Sequence, residues 1–150
     1  MATKTLTGAC LCGKITYAID LPATEPTPKI ILCHCTSCKR YTGGGFSTNI
    51  MIPKSSLRYT SATSPKVFLD SATDSGYLLP REICGDCGCH FTSAPEGPNT
   101  ALKWGTLDEE FRVGAEVLGE IYCKRRDGWV DGIGKEGGGN GQFRLEGGMA

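Results

Sequence analysis

The sequence predicts a mainly β protein with few short helical turns, and three observations support this prediction. Short stretches alternate between apolar and polar residues with the period of two that is typical of half-buried strands. Segments rich in Pro, Gly, Ser and Asp, such as PATEPTPK and APEGPN, separate these stretches and indicate turns. No stretch shows the apolar spacing of a long amphipathic helix. We therefore expect short strands joined by small loops.

The clearest strand pattern lies in KITYAID (14–20), where Ile15, Tyr17 and Ile19 point to one face and mostly polar residues point to the other. FSTNIMIP (46–53) repeats this alternation and ends at Pro53. Further strands are predicted, in chain order, at PKVFLD (65–70), YLLPREIC (77–84), CHFTSAP (89–95), ALKWGTLD (101–108) and EIYCKRR (120–126).

One short helix is predicted in TSCKRYTG (36–43). Thr36 or Ser37 suits its N-cap, because a hydroxyl accepts from the free backbone N–H groups of a first helical turn. The glycines at 43–45 favour its end. The sequence therefore predicts one or two helical turns here.

The length of 150 residues fits one domain that is large enough to bury a core. We place this domain at residues 1–130. The last twenty residues, 131–150, contain eight glycines and little apolar surface, so they are predicted to form a flexible C-terminal tail.

The charge balance argues against several classes of partner. Sixteen basic and sixteen acidic residues give a formal net charge of zero, so we expect binding neither to nucleic acid nor to a membrane, both of which favour a basic face. No apolar run approaches the roughly 20 residues of a membrane helix, and MATKTLTGAC lacks the apolar stretch of a secretion signal. The expected location is the cytoplasm. The sequence is compatible with a homo-oligomer and does not specify one.

Nine cysteines are the most informative feature of the composition. An odd number leaves one thiol over in any set of disulfides, and closely spaced cysteines in a reducing cytosol more often bind metal. Cys10 and Cys12 lie two residues apart, so in an extended chain both sulfurs point to the same side. Cys84 and Cys87 form a Cys-x-x-Cys pair in a glycine-containing turn. Four thiolates make a closed tetrahedral zinc site, so these two pairs predict a zinc that ties the first strand to a late hairpin.

The segment ILCHCTSCKR (31–40) offers a different number of ligands. Cys33 and Cys35 share a face, and the turn after them can bring Cys38 round. His34 should point away, which favours a hydrogen-bonding or surface role over metal ligation. Three ligands with a vacant fourth position are typical of catalytic zinc.

Spacing alone also permits a second closed site. Cys89 or Cys123 would then be the missing fourth ligand, and the protein would be a purely structural zinc module. Cys89 lies nearer the other pair, and Cys123 follows a strand pattern that favours a buried, apolar role. The residues themselves leave the choice between open and closed sites undecided.

Several motifs in a fixed order resemble a known family. They are GACLCGKITY, CHCTSCKRYTGG, ICGDCG, WGTLDE and RDGW, and they extend from about Gly8 to about Trp129. This set resembles the glutathione-dependent formaldehyde-activating enzyme family, whose domain is shared with centromere protein V. The resemblance implies a β-rich, tent-like arrangement of small sheets with zinc-ribbon-type knuckles.

The resemblance also implies two zinc ions per chain and a reaction. It assigns Cys10, Cys12, Cys84 and Cys87 to a structural zinc, and Cys33, Cys35 and Cys38 to a catalytic zinc. The implied activity is that of a carbon–sulfur lyase, which joins glutathione and formaldehyde to give S-(hydroxymethyl)glutathione and cleaves that bond in reverse. The alternatives are a zinc enzyme of the same family with another small substrate and a noncatalytic zinc-binding interaction module.

Two further regions are candidates for the chemistry. A site with four sulfur anions around one Zn²⁺ needs nearby positive charge, which Lys39 and Arg40 would supply unless they are solvated surface charges. Asp108 in WGTLDEE either orients a proton or caps a turn, and the turn is the commoner role of aspartate.

Overall fold

The computed structural model describes residues 2–130, which form ten strands in two sheets. The tail predicted at 131–150 lies outside the described residues. The strands are β1 (Thr3–Ala9), β2 (Thr16–Pro22), β3 (Ile30–Cys33), β4 (Ser47–Pro53), β5 (Leu57–Tyr59), β6 (Lys66–Asp70), β7 (Leu79–Ile83), β8 (His90–Ser93), β9 (Asn99–Lys103) and β10 (Val117–Ile121). The described residues are therefore mainly β, as predicted.

The two sheets differ in size. The smaller sheet has three antiparallel strands in the order β1-β2-β5. The larger sheet has seven strands in the order β10-β3-β4-β9-β8-β7-β6, and all its pairs are antiparallel except β10 with β3. Short connections join the antiparallel pairs β1–β2, β6–β7, β7–β8 and β8–β9, since such neighbours need only a turn between them, whereas β2 with β5 and β4 with β9 pair across long stretches of chain.

Side chains from both sheets meet in one hydrophobic core. Leu6, Tyr17 and Ile19 come from the small sheet, and Ile50 and Phe91 come from the large one. The Tyr17 and Phe91 rings meet edge to face with their centroids 5.9 Å apart. This contact follows from the alternation recognised in KITYAID, since the apolar face of β2 points into the core.

The helical segments are short. Helix α1 spans Thr36–Thr42, and helix α2 spans Glu109–Arg112. The remaining helical turns are 3₁₀ segments at Lys54–Ser56, Trp104–Thr106, Cys123–Arg125 and Gly128–Val130. None of the helices within residues 2–130 is long and apolar enough to cross a membrane.

The structure corrects the predicted N-cap of α1. The N-cap is Cys35, whose sulfur accepts from the backbone N–H of Cys38, so neither Thr36 nor Ser37 has this role. The predicted end is confirmed, because Gly43 adopts a left-handed conformation with φ of 68° that a glycine takes without steric cost.

Two of the predicted strands end five residues earlier than expected. The strand predicted from EIYCKRR ends at Ile121, because Tyr122 has a φ of 56° and a 3₁₀ turn follows it, so the prediction was wrong beyond that residue. The pattern ALKWGTLD forms a strand only as far as Lys103. Asp108 lies at the N-cap position of α2 without a side-chain capping bond, and its carboxylate accepts instead from the Thr7 hydroxyl.

Candidate metal centres

Four cysteine sulfurs converge where the small sheet meets the large one. Cys10 and Cys12 lie in the turn between β1 and β2, and Cys84 and Cys87 lie in the turn between β7 and β8. Their four Sγ atoms all lie within 4.8 Å of one another. We call these residues the cysteine quartet. The structure therefore brings together the four residues that the spacing grouped.

The quartet has the dimensions of a tetrahedral sulfur site. The Sγ atoms of Cys10 and Cys12 are 3.5 Å apart, and those of Cys12 and Cys84 are 3.8 Å apart. Zinc bound to sulfur at about 2.3 Å requires sulfur–sulfur edges of about 3.8 Å. The two sulfur–sulfur distances are therefore close to those of a tetrahedral zinc site.

Tight turns, and not an extended strand, aim the sulfurs of the quartet. The backbone N–H of Gly13 donates to the Cys10 carbonyl, and that of Gly88 donates to the Cys84 carbonyl. Both glycines have a positive φ, 74° and 73°, which explains why glycine follows each pair. The prediction that Cys10 and Cys12 converge is confirmed, although its stated reason, strand alternation, was wrong.

Three further sulfurs converge at the junction of β3 and α1. Cys33 ends the strand, Cys35 caps the helix, and Cys38 lies in the first helical turn. Their Sγ atoms lie within 4.8 Å of one another, and all three residues are buried. We call these residues the cysteine trio.

His34 lies between two members of the trio but makes a different contact. It is fully buried, and its Nε2 lies 3.0 Å from Oε1 of Glu120 on β10. Arg126 donates to the other carboxylate oxygen of Glu120. The predicted hydrogen-bonding role of His34 therefore agrees with its contacts.

Neither of the two remaining cysteines joins the trio among residues 2–130. Cys89 is half-buried, and its sulfur lies 4.0 Å from the carbonyl oxygen of His90. Cys123 lies in a 3₁₀ turn, where its sulfur is 3.9 Å from a guanidinium nitrogen of Arg126. Cys123 is also only half-buried, so the expectation of a buried apolar residue was wrong.

The three sulfurs of the trio affect one another's ionisation. Contacts with the sulfurs of Cys33 and Cys35 lower the pKa of Cys38, and Lys103 and the Ser47 hydroxyl act in the same direction. Contacts with Cys35 and Cys38, together with burial, raise the pKa of Cys33 well above its ordinary value. One thiolate therefore opposes the next, so three of them need a divalent cation to share their charge.

A buried lysine accompanies the trio, and the sequence did not single it out. Lys103 at the end of β9 is 8% exposed, and burial lowers its pKa to about 8. Lys39 lies elsewhere, since its Nζ donates to Asp127 Oδ1 at 2.8 Å and to the Arg125 carbonyl. Arg40 is exposed. Lys39 is paired with a carboxylate, so the suggestion that it supplies charge to the sulfurs is wrong, and Lys103 is a buried lysine instead.

A groove of about 340 Å³ lies beside the trio. Tyr41 forms the wall that the groove and the trio share, because its ring lines the groove and its Oη lies 3.9 Å from Cys38 Sγ. Arg40, Arg81, His90 and Phe68 also line the groove. It therefore combines cationic and aromatic surface next to three sulfurs.

The sequence that carries both sulfur clusters matches the model of one protein family. The family model for the glutathione-dependent formaldehyde-activating enzyme matches residues 5–125 of this chain. The chain belongs to this family. Residues 5–125 include both the cysteine quartet and the cysteine trio, so membership of the formaldehyde-activating enzyme family covers both sulfur clusters.

A solved structure shares the fold. The crystal structure of a Rhodobacter sphaeroides protein, determined as a structural genomics target, aligns with a TM-score of 0.54 and 14% sequence identity. The alignment covers 74% of this chain and 98% of the bacterial one. At this identity the likeness concerns the fold alone. A comparison with curated proteins found no match.

Proposed function

We propose that this chain is a zinc-dependent carbon–sulfur lyase that interconverts glutathione plus formaldehyde with S-(hydroxymethyl)glutathione. Family membership supports an enzyme that acts on glutathione and formaldehyde. The observation that carries the finer proposal is the unequal number of sulfurs, four in one cluster and three in the other.

The two clusters would then have different roles. The quartet would hold a structural zinc, because four cysteines complete a tetrahedral shell and leave no position for a substrate. The trio would hold a catalytic zinc, because no other Cys, His, Asp or Glu within residues 2–130 brings a ligand atom into the group of three sulfurs. A zinc with three cysteine ligands keeps a fourth position and favours the thiolate form of a thiol that enters it.

Residues of the groove would orient the two reactants. Arg40 is exposed at its rim, and a carboxylate of the thiol substrate would pair with its guanidinium. The volume of the groove falls within the roughly 300–1,000 Å³ typical of small-molecule sites. The thiol would then reach past Tyr41 towards the trio.

Tyr41 is suited to act on the oxygen of the aldehyde. In the forward reaction the substrate thiol would lose its proton to water, its sulfur would bond to the carbonyl carbon, and the carbonyl oxygen would gain a negative charge and then a proton from water. Burial raises the pKa of Tyr41, so its hydroxyl keeps its proton near neutral pH and can donate a hydrogen bond to that oxygen. In reverse the same hydroxyl would accept a hydrogen bond from the hydroxymethyl group as the carbon–sulfur bond breaks.

Exchange NMR tests the reaction directly, because it measures interconversion of formaldehyde hydrate and S-(hydroxymethyl)glutathione at equilibrium. We expect the chain to accelerate this exchange above its spontaneous rate and to lose that acceleration when a chelator removes zinc. The control is the same thiol adduct with a chelator-treated chain to which zinc has been restored. No acceleration, or equal acceleration by the stripped chain, would contradict the proposal.

A different substrate is the second candidate, and the exposed ring of Phe68 favours it. Phe68 on the edge strand β6 lines the groove with 58% of its surface exposed. Such a surface would suit an apolar thiol adduct better than the polar tripeptide glutathione. Faster exchange with aromatic or aliphatic thiols than with glutathione would support this alternative.

A further inference from the structure

Lys103 is a buried ammonium group without a carboxylate partner in residues 2–130. Its Nζ donates to Asn49 Oδ1 at 2.6 Å and to Ser93 Oγ at 2.9 Å, both neutral acceptors. Arg81 donates to the same Ser93 oxygen but is already paired with Asp70. A buried charge that lacks a counterion is costly, and a negative charge close to Lys103 would offset this cost.

Three hydrogen bonds connect Lys103 to the trio through Asn49 and Ser47, and each is donated towards the trio. A lysine can only donate, so it fixes the amide oxygen of Asn49 on its side and turns Nδ2 of Asn49 towards Ser47. The Ser47 oxygen accepts from that nitrogen at 2.9 Å. Its single hydrogen is then directed to Cys38 Sγ, 3.0 Å away.

The pairing of strands places Lys103, Asn49 and Ser47 next to one another. Asn49 on β4 is the direct cross-strand partner of Lys103 on β9, and Ser47 lies two residues from Asn49 on the same face of β4. Ser47 in turn is the cross-strand partner of Cys33 on β3. The three polar residues are all buried, so they link the centre of the large sheet to the trio away from water.

The charge of Lys103 matches the charge expected at an occupied trio. Three thiolates around one divalent cation carry a net charge of −1, which the ammonium of Lys103 balances. We propose that Lys103, acting through Asn49 and Ser47, is the positioning residue of the cysteine trio, supplying the buried positive charge that allows three thiolates to hold a divalent metal and directing a hydrogen bond to Cys38. This inference rests on the metal assignment within the proposed function and does not depend on the lyase reaction.

The zinc affinity of each cluster tests the role of Lys103, because the quartet provides an internal reference. Competition with a chromophoric chelator gives the two affinities, and a Cys35→Ser chain identifies which one belongs to the quartet. We expect Lys103→Met to weaken zinc binding at the trio by about 10–100-fold, the usual effect of removing an outer hydrogen-bonding partner of a metal ligand. The affinity of the quartet should not change.

Lys39→Met is the matched control, because it removes a lysine adjacent to Cys38 in sequence but paired with Asp127. This variant should leave both affinities as they are. Equal affinities in wild type and Lys103→Met, or an equal loss in both lysine variants, would overturn the inference.

Two milder variants decide the matter if Lys103→Met does not fold. Asn49→Asp gives Lys103 a carboxylate of its own, and Ser47→Ala removes the last hydrogen bond to Cys38. In the cobalt-substituted chain, both should shift the thiolate-to-metal charge-transfer absorption of the trio and weaken its metal binding. An unchanged absorption band and affinity in both would overturn the inference.

These results separate the inference from the proposed function. A wild-type chain that binds two metals and shows the affinity loss in Lys103→Met, yet does not accelerate thiol–formaldehyde exchange, would support the role of Lys103 and contradict the lyase proposal. A wild-type chain that binds metal only at the quartet would overturn both.

Discussion

The Sγ atoms of Cys12 and Cys84 lie 3.8 Å apart, although 72 residues separate the two cysteines in the chain. This contact joins the turn of the β1–β2 hairpin to that of the β7–β8 hairpin, and so joins one sheet to the other. A metal held there would cross-link two distant parts of the fold.

Replacement of Cys84 should therefore destabilise the whole domain. A structural zinc contributes an apparent ~10–16 kcal/mol in zinc-finger peptides, whereas a typical domain is stable by about 5–15 kcal/mol. We expect Cys84→Ser to lose one zinc and most of its cooperative thermal unfolding, measured by metal analysis and circular dichroism. Cys89→Ser is the control, since Cys89 lies in the same hairpin outside the quartet. Equal stability of the two variants would show that the quartet does not hold the fold together.

Replacement of Cys35 should abolish activity and leave the fold intact. Cys35 caps α1 through its sulfur, and serine is among the best N-cap residues, so Cys35→Ser keeps a capping hydrogen bond. The variant should lose one zinc and its acceleration of thiol–formaldehyde exchange, with little change in its unfolding temperature. Cys123→Ser should retain both zinc ions and activity. A Cys35→Ser chain that unfolds as Cys84→Ser does would contradict an open site at the trio.

The buried partner of His34 should matter far more than an exposed glutamate nearby. Glu120 is 2% exposed and accepts from both His34 and Arg126, whereas Glu116 forms an exposed pair with Lys29. We expect Glu120→Ala to cost about 3–5 kcal/mol of unfolding free energy, because it leaves a charged partner unpaired. Glu116→Ala should cost less than about 1 kcal/mol. Urea unfolding measures both, and similar losses would argue against the His34–Glu120 contact.

Gly8 should not tolerate a side chain. A Cβ at this position would lie 2.2 Å from the Tyr17 hydroxyl oxygen and 2.3 Å from the backbone carbonyl oxygen of Thr106. We expect Gly8→Ala to lower the free energy of unfolding by about 1–3 kcal/mol, the usual cost of overpacking. A Cβ at Gly105 would meet nothing within 4 Å, so Gly105→Ala serves as the control. A fully stable Gly8→Ala chain would mean that β1 lies further from the Trp104–Thr106 turn.

Local spacing predicted the sulfur clusters because each pair or trio of cysteines is held by one short turn. Each pair of the quartet, the trio and the end of α1 at Gly43 follow from residues within a few positions of one another. The two pairs lie 72 residues apart, and they were grouped because four thiolates complete one zinc site. Strand β1 was missed because Leu6 is its only large apolar residue, and β3 was missed because its four residues do not alternate. Pairing with their neighbours makes both of them strands.

The role of Lys103 could not be predicted, because it depends on the register of two strands. Asn49 and Lys103 are 54 residues apart and become neighbours only when β4 pairs with β9. A lysine within a strand pattern carries no local sign of burial, and Lys39 beside the third cysteine was the more obvious candidate. Burial of a charge is a property of the tertiary structure, so the sequence alone offered Lys39 and Arg40 as candidates and did not single out Lys103.

Cadmium-113 NMR of the metal-substituted chain shows whether the quartet binds metal through four sulfurs and the trio through three, because the chemical shift of cadmium reports how many sulfurs bind it. We expect two resonances. One should be typical of four sulfur ligands and unchanged by added glutathione, and the other should be typical of three sulfur ligands and move towards the four-sulfur range as glutathione is added. A single resonance, or two four-sulfur resonances that glutathione leaves unchanged, would contradict an open metal site at the trio.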